Sequence, residues 1–185
     1  MPTTSTARVI DAHRLFFALW PDDALRGAMV SAVDGLVAAG AAGRRVDPSR
    51  YHLTLQFVGG WPQLPAGVVE RCRAAAAAVE ASAFHLVVDH AGSFARSRVG
   101  WLAPSGKSGL DALWSALGHA LDAQGVEHRA ADTFSPHVTV LRDIRHRIPD
   151  AAVEPLSWPV DAFVLVHSHG GHYDVLERWA LQPGD

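Results

Sequence analysis

Two short stretches of this sequence share a pattern of residues that could do chemistry. His52-Leu53-Thr54-Leu55 and His137-Val138-Thr139-Val140 each have the form His-x-Thr-x, with aliphatic residues at both x positions. The copies lie 85 residues apart in a chain of 185 residues. Because alternate side chains of a strand share a face, each histidine should project with its threonine while the aliphatic residues enter a core. If the two halves are related by an approximate two-fold, two imidazoles and two hydroxyls converge on one cleft.

Such a set of groups is suited to cleaving a phosphodiester without a metal. The reaction needs a base for the attacking hydroxyl or water, an acid for the leaving oxygen, and donors for the non-bridging oxygens. Two histidines with a pKa of about 6.5 can hold complementary protonation states at neutral pH. One His-x-Thr alone would be read as a chance tripeptide or a structural histidine. Its duplication with matched flanks favours the chemical interpretation.

The strands and helices that the sequence pattern indicates around these motifs predict an α+β protein. Residues 51–58 and 133–142 alternate between apolar and polar side chains, as strands do. Apolar stripes of helical spacing follow Asp22 and Ser108, and Ser108 is the predicted cap of its helix. Further elements are predicted as strands at about 14–20, 84–90, 98–102, 160–167 and 173–181, helices at 21–40, 66–80 and 110–125, and a loop with Pro149 and Pro155. Helices mixed with hairpin-connected strands favour α+β over a doubly wound parallel sheet.

The motifs and their flanks resemble a known family. With RLFFALWP ahead of the first motif and FSPHVTVLR around the second, the sequence resembles the 2H phosphoesterase superfamily, specifically its RNA 2′,3′-cyclic phosphodiesterases, or 2′-5′ RNA ligase-like proteins. The resemblance covers residues 14–181. It implies a bilobal fold, with antiparallel sheets forming a central cleft and helices outside. From the sequence itself, residues 1–13 are predicted to be a flexible leader and 14–185 a single domain. The implied activity is cofactor-free hydrolysis of a terminal 2′,3′-cyclic phosphate to a 2′-phosphate, with reverse ligation permitted by microscopic reversibility.

The resemblance also implies roles for individual residues. His52 corresponds to the proton donor and His137 to the proton acceptor. Arg142, directly after the second motif, matches a basic residue suited to phosphate contact. The complete set of candidate substrate-binding residues is Thr54, Thr139, Arg142, Phe17 and Tyr173. The partner is then an RNA or nucleotide that ends in a 2′,3′-cyclic phosphate.

Three other motifs point to other chemistry. The offsets of His167, His169 and His172 are those of a metallo-hydrolase signature, but Gly171 replaces its aspartate, so no metal site is predicted. Lys107 follows Gly106 as in a P-loop, but the upstream glycine spacing is wrong by one residue. The basic run of Arg142, Arg145, His146 and Arg147 is read either as an RNA-backbone contact or as a solvated loop.

Composition narrows the function classes. A formal net charge of −3 argues against a broad nucleic-acid-coating surface, so any phosphate contact must be local. The single cysteine, Cys72, is typical of a reducing compartment, and no apolar run approaches ~18 residues. We therefore expect a cytoplasmic monomer with no membrane contact. Two alternatives stay open: another 2H activity, on cyclic nucleotides or ADP-ribose cyclic phosphate, and a non-catalytic module that binds RNA ends.

Overall fold

The computed structural model describes residues 13–128 and 133–184, so residues 1–12 of the predicted leader lie outside the described residues. Within those ranges the chain forms nine strands, three α-helices and one short 3-10 helix, Pro48–Arg50. They are β1 (His13–Leu19), α1 (Asp23–Ala38), β2 (Arg44–Arg45), β3 (Leu53–Trp61), α2 (Val68–Ala77), β4 (Phe84–Phe94), β5 (Val99–Pro104), α3 (Leu110–Ala123), β6 (Val138–Arg142), β7 (Ala151–Val160), β8 (Ala162–His169) and β9 (His172–Ala180). The predicted α+β class is confirmed.

The two motif strands lie side by side at the centre of one antiparallel sheet. The strand order is β7-β4-β5-β6-β3-β1-β8-β9, and the short β2 pairs with β6. Strands β3 and β6 pair Leu53 with Val138, so the two motifs face each other across this junction. This junction divides the sheet into two halves of four strands, β7-β4-β5-β6 and β3-β1-β8-β9. The second half combines strands from both ends of the chain, because the C-terminal β8 and β9 lie beside the N-terminal β1.

The helices bury one face of the sheet. Helix α1 begins after Asp22, whose carboxylate accepts a hydrogen bond from the Leu25 backbone N–H at 2.8 Å, and it packs against β7. Helices α2 and α3 pack against each other. The apolar stripe of α3 is fully buried and consists of Leu110, Leu113, Leu117 and Leu121. No helix within residues 13–128 and 133–184 is long and apolar enough to cross a membrane.

The start of α3 differs from the sequence prediction. Its N-cap is Gly109, with no side-chain hydrogen bond, so the predicted Ser108 cap is wrong. Gly109 has a φ of +76°, and a Cβ atom there would lie 2.5 Å from the Phe84 ring. A glycine is required because the chain turns with positive φ while passing directly over that ring.

The predicted loop is confirmed around Pro149, at residues 143–150, but it is wrong around Pro155, which lies in β7. This strand carries Pro155 and Pro159 and occupies one end of the strand order, paired with β4. An edge strand tolerates proline because the amide that proline lacks can face away from the ladder. The sequence pattern did not predict this strand because its prolines are typical of loops.

Candidate active site

Both motif histidines are anchored by the same hydrogen bond. His52 precedes β3 and His137 precedes β6. Nδ1 of His52 lies 2.6 Å from the carbonyl oxygen of Arg50, and Nδ1 of His137 lies 2.9 Å from that of Ser135. Because a carbonyl oxygen only accepts, Nδ1 donates in both cases. Each neutral ring therefore has an unprotonated Nε2, which is the atom left to exchange a proton with a ligand.

The threonines of the motifs lie on the sheet face that the helices do not cover. Thr54 and Thr139 are half-buried, whereas Leu53 and Val138 beside them are fully buried. Thr54 pairs with Ala18, which belongs to a small apolar cluster separate from the main core. We call the uncovered side the cleft face. The predicted alternation along β3 and β6 is thus confirmed.

A small cavity on the cleft face joins residues from both motifs. It has a volume of about 50 Å³ and is lined by Arg44, Val46, Asp47, Arg50, His52, Thr139, Arg142 and Tyr173. His52, Thr139, Arg142 and Tyr173 were all predicted as site residues. His137 lies close enough for its positive charge to lower the pKa of His52, and Arg142 lowers the pKa of both histidines.

Aromatic rings contact both imidazoles. The His52 ring lies 4.9 Å from the Phe16 ring, 5.8 Å from Trp20 and 5.5 Å from Tyr173, measured between centroids. The His137 ring meets Phe94 edge-on at 4.9 Å. Such rings exclude water from the imidazoles, which disfavours their charged forms.

Phe17 was predicted to face the substrate, and the structure contradicts this. Its side chain is fully buried on the helix-covered face, with its ring 6.2 Å from Phe163 and 6.1 Å from Trp179. Its neighbour Phe16 points the other way and contacts His52. The continuous apolar run 15–19 has no polar alternation to show which face is which, so the sequence could not distinguish the two rings.

Burial shifts the proton affinity of both histidines. It lowers the pKa of His52 to about 4, with smaller contributions from the charges of His137 and Arg142 and a partial offset from the hydrogen bond to Arg50. Burial also lowers the pKa of His137, with Arg142 adding to the effect and the bond to Ser135 opposing it. Both rings are therefore neutral at neutral pH in the free protein. A bound phosphate anion would favour protonation of one of them.

We expect the ring of His52 to titrate with a midpoint of about pH 4 in the free protein. Its folded pKa lies below the unfolded value of about 6.5, so the unfolded chain binds more protons between these limits. Its contribution to stability is complete above about pH 6.5 and is lost as the pH falls towards 4. Ring-selective NMR measures the midpoint, and inorganic phosphate should raise it. The variant His52→Gln should show a weaker loss of unfolding free energy over this range; a midpoint at 6.5 or above would contradict the burial argument.

Two cavity arginines were missed by the sequence prediction. Arg50 donates a hydrogen bond to the Gly171 carbonyl in the β8–β9 turn, and its guanidinium lies 5.5 Å from the centroid of the Tyr173 ring. Arg44 pairs with Arg142 between β2 and β6, and its guanidinium bonds Asp143 at 3.2 Å. The position of Arg50 two residues before His52 was the one available signal. Arg44 becomes adjacent to Arg142 only through a two-residue strand.

Other candidate groups lie apart from the cavity. Arg145 lines a separate depression with Arg44 and Arg45, and His146 and Arg147 are exposed. The described residues that could hold a metal ion are His167, His169 and Asp174, and none of them lines the cavity. His172, the third histidine of the sequence motif, does not belong to that set.

Solved structures similar to this one define its class. A protein described as a phosphoesterase is 30% identical, with a TM-score of 0.75, and the match covers 92% of this chain and 99% of that one. E. coli LigT complexed with 3′-AMP is 31% identical, with a TM-score of 0.75, over 91% of this chain and 97% of that one. The fold is therefore that of a phosphoesterase.

Sequence comparisons identify the family. The model of the 2′-5′ RNA ligase superfamily matches residues 21–172. An RNA 2′,3′-cyclic phosphodiesterase of E. coli (strain K12) is 33% identical over 147 residues, which is 76% of this chain and 81% of that protein. The chain belongs to the 2′-5′ RNA ligase superfamily of 2H phosphoesterases, as its motifs predicted.

Proposed function

We propose that this protein hydrolyses 2′,3′-cyclic phosphates at RNA ends to 2′-phosphates, without a metal in the reaction. The observation that carries the proposal is the matched anchoring of His52 and His137 through Nδ1, next to a cavity lined by three arginines. Two rings with equivalent free Nε2 atoms suit a reaction in which one proton is removed and one is delivered. The named activity of the E. coli relative agrees with this chemistry.

In the proposed mechanism, Nε2 of neutral His137 takes a proton from water as its oxygen attacks phosphorus. The bond between phosphorus and the 3′-oxygen breaks, and Nε2 of protonated His52 gives its proton to that oxygen. The products are a 2′-phosphate and a 3′-hydroxyl. Because the free His52 ring is neutral at pH 7, its protonation has to accompany binding of the anionic substrate.

The charge on the non-bridging oxygens would be stabilised by donors on the cleft face. We assign this role to the hydroxyls of Thr54 and Thr139 and to the guanidinium of Arg142. Arg44 and Arg50 line the same cavity and add positive potential. A local basic site of this kind fits a protein with a formal net charge of −3.

The aromatic groups around His52 would hold the ribose and base. Tyr173 lines the cavity, and Phe16, instead of the predicted Phe17, contacts His52. Structures of E. coli LigT have been solved with 3′-AMP and with ATP, which supports nucleotide recognition by this cleft. A cytoplasmic location and a monomeric state remain predictions.

A comparison of three substrates tests the proposal. We expect an oligoribonucleotide with a 2′,3′-cyclic phosphate end to be opened faster than a 2′,3′-cyclic mononucleotide or ADP-ribose 1″,2″-cyclic phosphate. ³¹P NMR should identify a 2′-phosphate product, and EDTA should not change the rate. Preferred turnover of the ADP-ribose compound would favour the other 2H activity. Tight binding of the oligonucleotide with no turnover of any substrate would favour the RNA-end binding module.

A further inference from the structure

The β8–β9 hairpin carries a second group of histidines, on the side away from the cleft. His167 and His169 lie on β8, and alternation places them on the same face as the buried Leu165. Across the ladder, His167 pairs with Asp174 of β9, and His169 pairs with His13 of β1. Three strands therefore bring imidazoles and a carboxylate together behind the sheet, where the proposed reaction does not use them.

The side chains of this group are within ligand distance of one another. One ligand atom from each of His167, His169 and Asp174 lies within 4.8 Å of the others. Nε2 of His169 is 2.6 Å from the Asp174 carboxylate, and Nδ1 of His13 is 2.9 Å from Nε2 of His167. Ligand atoms around a tetrahedral zinc ion are separated by roughly 3.3 Å, given bonds of about 2.0–2.1 Å. Small rotations of these side chains would accommodate an ion.

The packing of the rings also suits a cation. The His167 and His169 rings stack with centroids 4.5 Å apart, an arrangement that two imidazolium ions would resist. Neutral imidazoles and an ionised carboxylate are the forms that bind metal.

We propose that His167, His169 and Asp174 bind a divalent transition-metal ion, with Zn²⁺ as the best match to two nitrogens and one oxygen. The fourth position is open to water or, after a ring rotation, to His13. The site differs from the His167, His169 and His172 set that the sequence spacing offered: His172 pairs with His169 across the hairpin, but Asp174 is the third group within ligand distance. It lies behind the sheet, so the ion takes no part in the phosphodiester chemistry.

The position of the site gives the ion a structural role. The hairpin turn consists of Gly170 and Gly171, both with positive φ, as a two-residue turn of type I′ requires. Ligands on both sides of this turn would fix the register of β8 against β9. Tyr173 directly precedes the ligand Asp174 and lines the catalytic cavity, so the same ion would hold the cavity wall in place.

Titration of the tag-free, metal-free protein with Zn²⁺ tests the proposal. Calorimetry should show one saturable site per chain, and a Zn²⁺ concentration about 100 times the Kd should raise Tm by roughly 5–10 °C. The variants His167→Ala and Asp174→Asn should each weaken binding at least about tenfold. Asp174 is exposed, so its near-isosteric replacement keeps the test valid if His167→Ala does not fold. Mg²⁺, which prefers oxygen ligands, should not compete.

Two control variants show where the ion binds. His90→Gln removes a surface histidine that is paired with one carboxylate, Asp89, at 2.8 Å, and should leave Zn²⁺ affinity unchanged. His52→Ala should also bind Zn²⁺ normally, because the catalytic pair is on the other face. Absence of saturable binding would overturn the proposal. Unchanged Zn²⁺ binding in Asp174→Asn, or loss of Zn²⁺ binding in His52→Ala, would also overturn it. Calorimetry and Tm are both measured without substrate, so these results do not depend on the proposed hydrolysis.

Discussion

Replacing either His52 or His137 with alanine is expected to lower kcat for cyclic phosphate opening by about 10²–10⁴-fold in a protein that still folds. Each variant removes one proton-transfer group, and the opposite imidazole cannot serve both sides of the phosphorus. The double variant should be little slower than the slower single variant, because the two groups act in one step. Single-turnover kinetics with a 2′,3′-cyclic mononucleotide measures the chemical step directly.

The pH profile of each variant separates the two roles. The unmodified protein should give a bell-shaped dependence of kcat/KM, since one ring must be charged and the other neutral. His52→Ala should lose the alkaline limb, which reports the acid, and His137→Ala should lose the acidic limb, which reports the base. His119→Ala, on the exposed side of α3, is the matched control and should retain activity. Full activity in either motif variant would refute the mechanism.

The second large effect is expected at Phe17, on stability and not on catalysis. Phe17→Ala should lower the free energy of unfolding by about 3–5 kcal/mol, because it leaves a cavity beside Phe163 and Trp179. Chemical denaturation measures this loss. The pKa of His52 should not change in the folded fraction, since the Phe17 ring lies on the opposite face of the sheet.

The matched variant Phe16→Ala deletes the same side chain one residue earlier. Its ring contacts His52, so its removal should admit water to the imidazole and raise the pKa of His52. NMR titration of both variants compares the two faces of β1 directly. A changed pKa of His52 in Phe17→Ala, together with an unchanged free energy of unfolding, would mean that the Phe17 ring faces the cleft. That result would contradict the position of Phe17 in the fold.

Periodicity predicted the elements whose pattern was regular. Leu110, Leu113 and Leu117 recur at helical spacing and are buried on α3, and the motif strands alternate as expected. Sequence-based prediction failed where the local preference of a residue is overridden by its tertiary surroundings. Pro155 indicates a loop in isolation, yet it is accommodated at a sheet edge. Ser108 is a good cap in isolation, but the chain needs the positive φ of Gly109 next to Phe84.

The sequence by itself determined the family, the fold class and the two histidine–threonine pairs, because this information resides in residue types and local spacing. Only the tertiary structure decided that Phe16 rather than Phe17 faces His52, and that Arg44 and Arg50 join Arg142. The pairing of β1 with β8 likewise brings the side chains of His13 and His167 into contact across 154 positions of sequence separation. These contacts depend on register between distant strands, and register is fixed by the packing of the whole sheet.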